Sequence, residues 1–367
     1  MKYLFILGRN PELSIAEIFF YFKKNKIKTL GNWKKRNSLL VEIKDNLSEE
    51  IVNFLGGTIS IGKVLCEIKE KELEKEMIYS GTNNKLNYCI WNFSENENFE
   101  ALSFYLKKRF KKEKLKATQK NLTGEINFQN GKRIKIAKGK IDEEYFVFEN
   151  YFGKIFFKSD YKEIERRDMD KPERREELAI SPRLAKIMIN LSGAKENLLD
   201  PFCGIGVILF EALLQKLKVV GIDKDKNAIL NAGKNLLWGN FNKKDYKLIN
   251  ADSKKIKISE VDCIVTEPDL GLILKKAVNK KQAEKQLKKF ENLIIFVLNN
   301  LKNKVKGKIV FTAPYIKLVN KKRIGCDINK ISQETRLKII ERFEEYRENQ
   351  IVGREIFVLM KNDSKAF

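Results

Sequence analysis

The sequence predicts an α/β protein: a Rossmann-like, mostly parallel sheet of seven strands in its second half, preceded by small α+β modules. Three observations predict it. Residues 198–223 read as strand, glycine turn, helix and second strand, the front half of a nucleotide-binding crossover. Apolar strands then alternate with helical patterns as far as residue 312, as a doubly wound sheet requires. Finally, 337–347 and 354–360 read as an antiparallel pair closing one edge.

Composition narrows the function. With 367 residues, 43% hydrophobic and 33% charged, the chain suits two or three globular domains with real cores. Net charge is +24, from 73 Lys plus Arg against 49 Asp plus Glu, which makes nucleic acid the default partner. An AT-rich genome would also enrich Lys, Ile and Asn, so charge supports that partner without deciding it. The chain has no histidine, which excludes His-dependent triads, His general bases and His-ligated metals. The five cysteines, Cys66, Cys89, Cys203, Cys263 and Cys326, form no C-x-x-C pair. Neither zinc nor disulfides are expected, and the setting should be reducing. Gly8, Arg9, Glu12 and Glu17 interrupt any signal-peptide core, and the apolar run 293–298 is too short to cross a membrane. The expectation is a soluble, cytoplasmic monomer with no metal.

In chain order, residues 2–7 are a β-rich strand. Asn10-Pro11-Glu12 is a helix start, with a cap, a proline in the first turn and an acid at the positive end of the dipole. A strand at 38–43 and a short helix at 48–55 complete a ferredoxin-like module over residues 1–60. Gly56-Gly57 reads as a break. A second module is expected over 61–160. It has a strand at 86–93 and a helix at 99–112 with Leu102, Tyr105, Leu106 and Phe110 inward. A hairpin about Gly153 joins 145–148 to 154–158. The other face and tail of that helix carry Lys107, Lys108, Arg109, Lys111, Lys112, Lys114 and Lys116, and Lys132, Arg133, Lys135, Lys138 and Lys140 follow on a loop and strand. Such a cluster can hold phosphates without reading sequence, although a solvated helix face would look the same. A linker spans 161–180, and Ser181-Pro182 starts a helix whose apolar face carries Leu184, Ile187, Met188 and Leu191. The large α/β domain takes 181–367.

The turn after the first parallel strand reads Asp200-Pro201-Phe202-Cys203-Gly204-Ile205-Gly206. Gly204 and Gly206 free the backbone to approach a ligand. Dinucleotide binders place a third glycine where this chain has Leu209, and they place no acid at Asp200. An acid there suits a ligand with a cationic amino group, and Asp223, ending the next strand, can accept both hydroxyls of a ribose. S-adenosylmethionine has both features. An ordinary crossover without a cofactor would not need both acids and both glycines together.

Asp-Pro-Phe-Cys-Gly-x-Gly resembles the first motif of class I methyltransferases that act on amino groups of nucleic acids. The segment 166–175, Arg-Arg-Asp-Met-Asp-Lys-Pro-Glu-Arg-Arg, resembles the R-D-x-x-R-P-x-R linker of THUMP-containing tRNA guanine-N2-methyltransferases of the guanosine-10 type, with Lys171 for one arginine. The helix from Ser181, the tail Val352-Gly353-Arg354-Glu355-Ile356 and the opening Leu7-Gly8-Arg9-Asn10-Pro11-Glu12 are similar to that family too. The basic second module resembles its THUMP domain.

The resemblance implies a class I methyltransferase domain that uses S-adenosylmethionine and modifies tRNA held by the basic N-terminal modules. It implies cofactor binding by Asp200, Pro201, Phe202, Gly204, Gly206, Asp223 and Asp252, the last taking the adenine amino group. An aspartate in a turn after a strand would also explain Asp252. Where the family reads D-P-P-Y or N-P-P-Y, this chain reads Glu267-Pro268-Asp269-Leu270. An exocyclic amino group is a poor nucleophile, and a side-chain oxygen plus a carbonyl on a stiff loop can aim its lone pair. Glu267, Pro268 and Asp269 are therefore the expected catalytic residues. The altered loop keeps two alternatives open: a non-catalytic RNA-binding protein on this scaffold, or a DNA amino-methyltransferase.

Overall fold

The computed structural model describes residues 1–95, 97–127, 133–136, 139–174, 180–271, 274 and 276–362. Lys132, Lys138 and Arg175 lie outside the described residues. Two compact units emerge. One comprises 1–15, 26–53 and 57–159; the other comprises 16–25, 54–56 and 160–367.

The chain begins with β1 (Lys2–Leu7), α1 (Pro11–Lys24), β2 (Thr29–Lys35), β3 (Ser38–Ile43), α2 (Ile51–Phe54) and β4 (Thr58–Glu67), of which α1 from residue 16 onward and Phe54 fall in the second unit and the rest in the first. The first unit continues through α3 (Glu70–Leu73), β5 (Lys85–Asn92), α4 (Asn98–Lys112) and β6 (Lys116–Gln119). It ends with β7 (Gly124–Asn127), β8 (Arg133–Ile136), β9 (Glu143–Phe148) and β10 (Tyr151–Lys158). One sheet runs β2-β3-β1-β4-β10-β9-β5-β6. The segments 1–60 and 61–160, expected as separate modules, share it. β4 crosses residue 60 and pairs with β1 on one side and β10 on the other. Leu4, Ile6 and Leu40 accordingly lie in one cluster with Trp91, Phe146 and Phe148.

Two glycine readings change for the same reason, close packing. A Cβ on Gly57 would lie 2.5 Å from the Ser14 hydroxyl, so Gly57 marks tight contact and not a linker. Gly153 is not the hairpin turn either. It lies inside β10, where a Cβ would sit 2.1 Å from the Phe146 ring, and the turn falls at Glu149 with φ +52°. β2 was not expected at all.

The second unit contains α5 (Tyr161–Met169), α6 (Pro182–Ser192), β11 (Asn197–Asp200), α7 (Val207–Leu214), β12 (Lys218–Asp223), α8 (Lys226–Trp238), β13 (Tyr246–Asn250) and β14 (Cys263–Thr266). Then come α9 (Lys280–Leu301), β15 (Lys308–Lys317), β16 (Arg323–Ile324), α10 (Ile328–Thr335), β17 (Leu337–Glu345) and β18 (Val352–Lys361). Its sheet runs β13-β12-β11-β14-β15-β18-β17, parallel through β15 and antiparallel at β18 and β17, as the sequence predicts. Leu199, Ile264, Ile309 and Leu359 pack with Ile294 and Leu298 of α9. Their neighbours Leu198, Val265, Val310 and Val358 are equally buried, as period-two alternation between two covered faces demands.

The predicted caps hold. The Ser181 hydroxyl accepts from the Leu184 amide, and Pro182 opens α6. Within the same unit, the buried Glu17 carboxylate accepts from the Asn190 amide (2.7 Å) and the Gly56 N–H (2.7 Å). The linker is anchored rather than loose. Arg167 donates twice to Glu211 on α7 (2.9 and 3.2 Å), and both side chains are buried. Asn235 on α8 grips the backbone of Glu173 from both sides and also donates to the Ile205 carbonyl of the glycine turn.

Candidate active site

In a doubly wound sheet a ligand sits beyond the carboxyl ends of the strands, where the chain order reverses. Here that point lies between β11 and β14. β11 ends at Asp200 and β14 at Thr266, and the Thr266 hydroxyl donates to Asp200 Oδ1 at 2.6 Å. The same oxygen accepts from the Phe202 N–H at 3.1 Å.

Asp200 is 1% exposed. Burial pushes its carboxyl up to about 7, the charges of Asp223 and Glu267 push the same way, and its two hydrogen bonds oppose them. Cys203 is also buried, and its thiol is raised far above the reactive range by burial.

The turn is closed from the next strand. Asp223 accepts from the Gly204 N–H with one oxygen (3.0 Å) and from the Asp225 N–H with the other (2.9 Å). Each oxygen keeps a further acceptor site. Gly204 has φ +50°, and a Cβ there would meet nothing within 4 Å, so open space faces the backbone where a ligand would lie. Gly206 has φ +86° and caps α7, and a Cβ would press Ala232 at 3.2 Å. Pro201 is buried, and its carbonyl accepts from the Ser253 hydroxyl at 2.6 Å, tying the loop after β13 to the turn. Phe202 packs against the core below. Asp252 is exposed on that neighbouring loop and caps its own turn by accepting from the Lys254 N–H. An acid under the turn, open space over Gly204 and an acid at the end of β12 together fit S-adenosylmethionine.

The loop after β14 differs from expectation. The Glu267 side chain is turned toward the sheet edge. Arg354 of β18 holds it with two parallel bonds, Nε to Oε2 at 2.7 Å and Nη2 to Oε1 at 2.8 Å. The Thr312 hydroxyl on β15 adds a third at 3.1 Å. Pro268 is buried, whereas Asp269 is exposed and accepts from the Gly271 N–H of its own turn. Leu270 packs on the core. Asp200, Gly204, Gly206 and Asp223 are thus knit into one structure, and Asp252 adjoins it. Asp269 shows no link to it. Sequence reasoning missed Thr266, Thr312 and Arg354. Only the family-like tail hinted at Arg354, which is 87 residues from its partner.

Residues 172–292 match the family of RMKL-like methyltransferase domains. The chain also resembles curated relatives. Over 107 residues the chain is 39% identical to tRNA (guanine(10)-N2)-dimethyltransferase of Methanothermobacter thermautotrophicus, covering 28% of this chain and 31% of that protein. Over 191 residues it is 31% identical to the enzyme of the same name from Methanocaldococcus jannaschii, covering 48% and 52%. The matched stretches therefore span about a third to a half of those relatives' lengths. Among solved structures, TrmN from Thermus thermophilus superposes with a TM-score of 0.53 at 14% identity, over 98% of this chain and 100% of that one. The fold of the methyltransferase domain is that of class I methyltransferases. Among the described residues no helix is long and apolar enough to cross a membrane.

Proposed function

We propose that the chain is an S-adenosylmethionine-dependent tRNA methyltransferase acting on the exocyclic amino group of a guanine. The observation that carries this is the Asp200–Gly204–Asp223 turn at the switch point, with open space over Gly204. The relatives' names supply the substrate class.

S-adenosylmethionine, when bound, supplies an electrophilic methyl group on a sulfonium. Asp223 takes the ribose hydroxyls with its remaining acceptor sites. Asp200 lies under the turn as the counter-charge for a cationic amino group, and Pro201 and Phe202 shape its wall. Asp252 reaches the adenine amino group. The Pro268 carbonyl and the remaining lone pair on Glu267 Oε1 accept the two hydrogens of the target amino group and hold its nitrogen for in-line attack. Asp269 shapes the loop's exposed turn. The exposed Lys107, Lys108, Lys111, Lys112 and Lys114 along and just beyond α4 bind the RNA backbone. Arg109 is spent on Glu113, Tyr105 and two carbonyls and takes no part.

The test is methyl transfer from labelled S-adenosylmethionine to tRNA, followed by nucleoside mass spectrometry. N2-methylated guanosine is the expected product. The locked Glu267 and the aliphatic Leu270 favour one other reading, an RNA-binding protein without catalysis. Retained cofactor and tRNA binding with no label in any nucleoside would establish that reading instead.

A further inference from the structure

We infer that Arg354 is the positioning residue of this active site, holding the Glu267 carboxylate at the one place where it can meet the target amino group. The inference rests on the function proposed above. A short Asp or Asn on such a loop is oriented by its own few rotamers. Glu267 carries one more rotatable bond and, left alone, would sample several placements. Arg354 removes that freedom with a planar two-point fork, and Thr312 fixes the rotation from β15.

Both side chains are largely withdrawn from water, 17% exposed for Arg354 and 8% for Glu267. Burial opposes the guanidinium's charge, and the facing carboxylate more than offsets it, so Arg354 stays charged. The fork takes one lone pair on each Glu267 oxygen and Thr312 takes the second on Oε2, which leaves one on Oε1 to accept an N–H donor. Arg354 Nη1 makes no hydrogen bond to any described residue, so the cation also has a donor to spare at the same edge. The charged groups facing Glu267 are Arg354 from β18 and Asp200 from β11, which Thr266 separates from it.

The experiment compares wild type with Arg354→Met, Arg354→Lys and Glu267→Gln in steady-state methylation of tRNA. Affinity for S-adenosylmethionine and melting temperature are measured on the same samples. Arg354→Met should lower kcat by about 100-fold, the cost of a misplacement of about 1 Å. Cofactor affinity should hold within about twofold. Arg354→Lys keeps charge without the fork, so it should restore only part of the rate. Glu267→Gln should lower kcat as well, with cofactor affinity kept.

An Arg354→Met variant with wild-type kcat overturns the inference. So does one whose loss of rate merely follows lost melting temperature or cofactor affinity. Wild-type protein that methylates no tRNA defeats the proposed function and this inference with it. Active wild type with an unperturbed Arg354→Met defeats this one alone.

Discussion

At the residue scale, two positions in the cofactor turn make separable predictions. Gly204→Ala places a methyl group in open space at a left-handed backbone position. The strain should cost about 1 kcal/mol of stability, while the methyl occupies the ligand's room. Calorimetry should therefore find S-adenosylmethionine binding lost in a protein that still melts cooperatively. Unchanged affinity would remove the turn from the site. Asp200 predicts a pH effect. Its carboxyl is raised to about 7 by burial, above the usual unfolded value of about 3.9. The folded state therefore holds the proton more tightly. The stability this gives is complete below about pH 4 and is lost as pH rises through 7. Asp200→Asn cannot ionise, so its melting temperature relative to wild type should rise between about pH 4 and 7. Parallel curves would contradict the assignment. The acids and glycines of this turn were legible in the sequence because 26 contiguous residues carry the whole crossover. Arg354 was not, because a strand residue's partner across a sheet leaves no local pattern.

At the element scale, capping chemistry located α6 and periodicity located α9, whereas the spacing of Ile339, Ile340 and Phe343 suits a helix as well and only the context of the sheet made 337–347 a strand. β2 stayed hidden because its residues, Thr-Leu-Gly-Asn-Trp-Lys-Lys, are mostly exposed and carry no alternation. Pairing with β3 makes it a strand, which is a tertiary cause. The turn at Glu149 escaped notice because a non-glycine residue takes the left-handed conformation there. The arginine-rich linker looked like a tether, yet Arg167 fastens α5 to α7 through Glu211. Removing Arg167 takes away both hydrogen bonds to the buried Glu211 and leaves it Lys186, 4.0 Å away, as its remaining cation. Arg167→Ala should therefore destabilise the second unit by about 3 kcal/mol in chemical denaturation, the low end for a broken buried pair. A loss near that of a surface pair, about 1 kcal/mol or less, would show that Lys186 or water replaces Arg167 at Glu211.

At the scale of the whole molecule, the charge of +24 makes a prediction about salt. If the α4 lysines and their neighbours neutralise about six to ten phosphates, tRNA affinity should fall about 10³- to 10⁵-fold between 50 and 200 mM salt. Filter binding at several salt concentrations measures the slope. A flat response would exclude a backbone-gripping role. One feature of the architecture also bears on how the gene can be cut. Residues 16–25 and 54–56 cluster with 160–367, and Glu17 answers buried donors on Asn190 and Gly56. No single uninterrupted piece of the coding sequence therefore encodes the complete second unit. A truncation starting at residue 160 would expose the flank of α6 to solvent, so transplanting this unit elsewhere means carrying the first helix along as well.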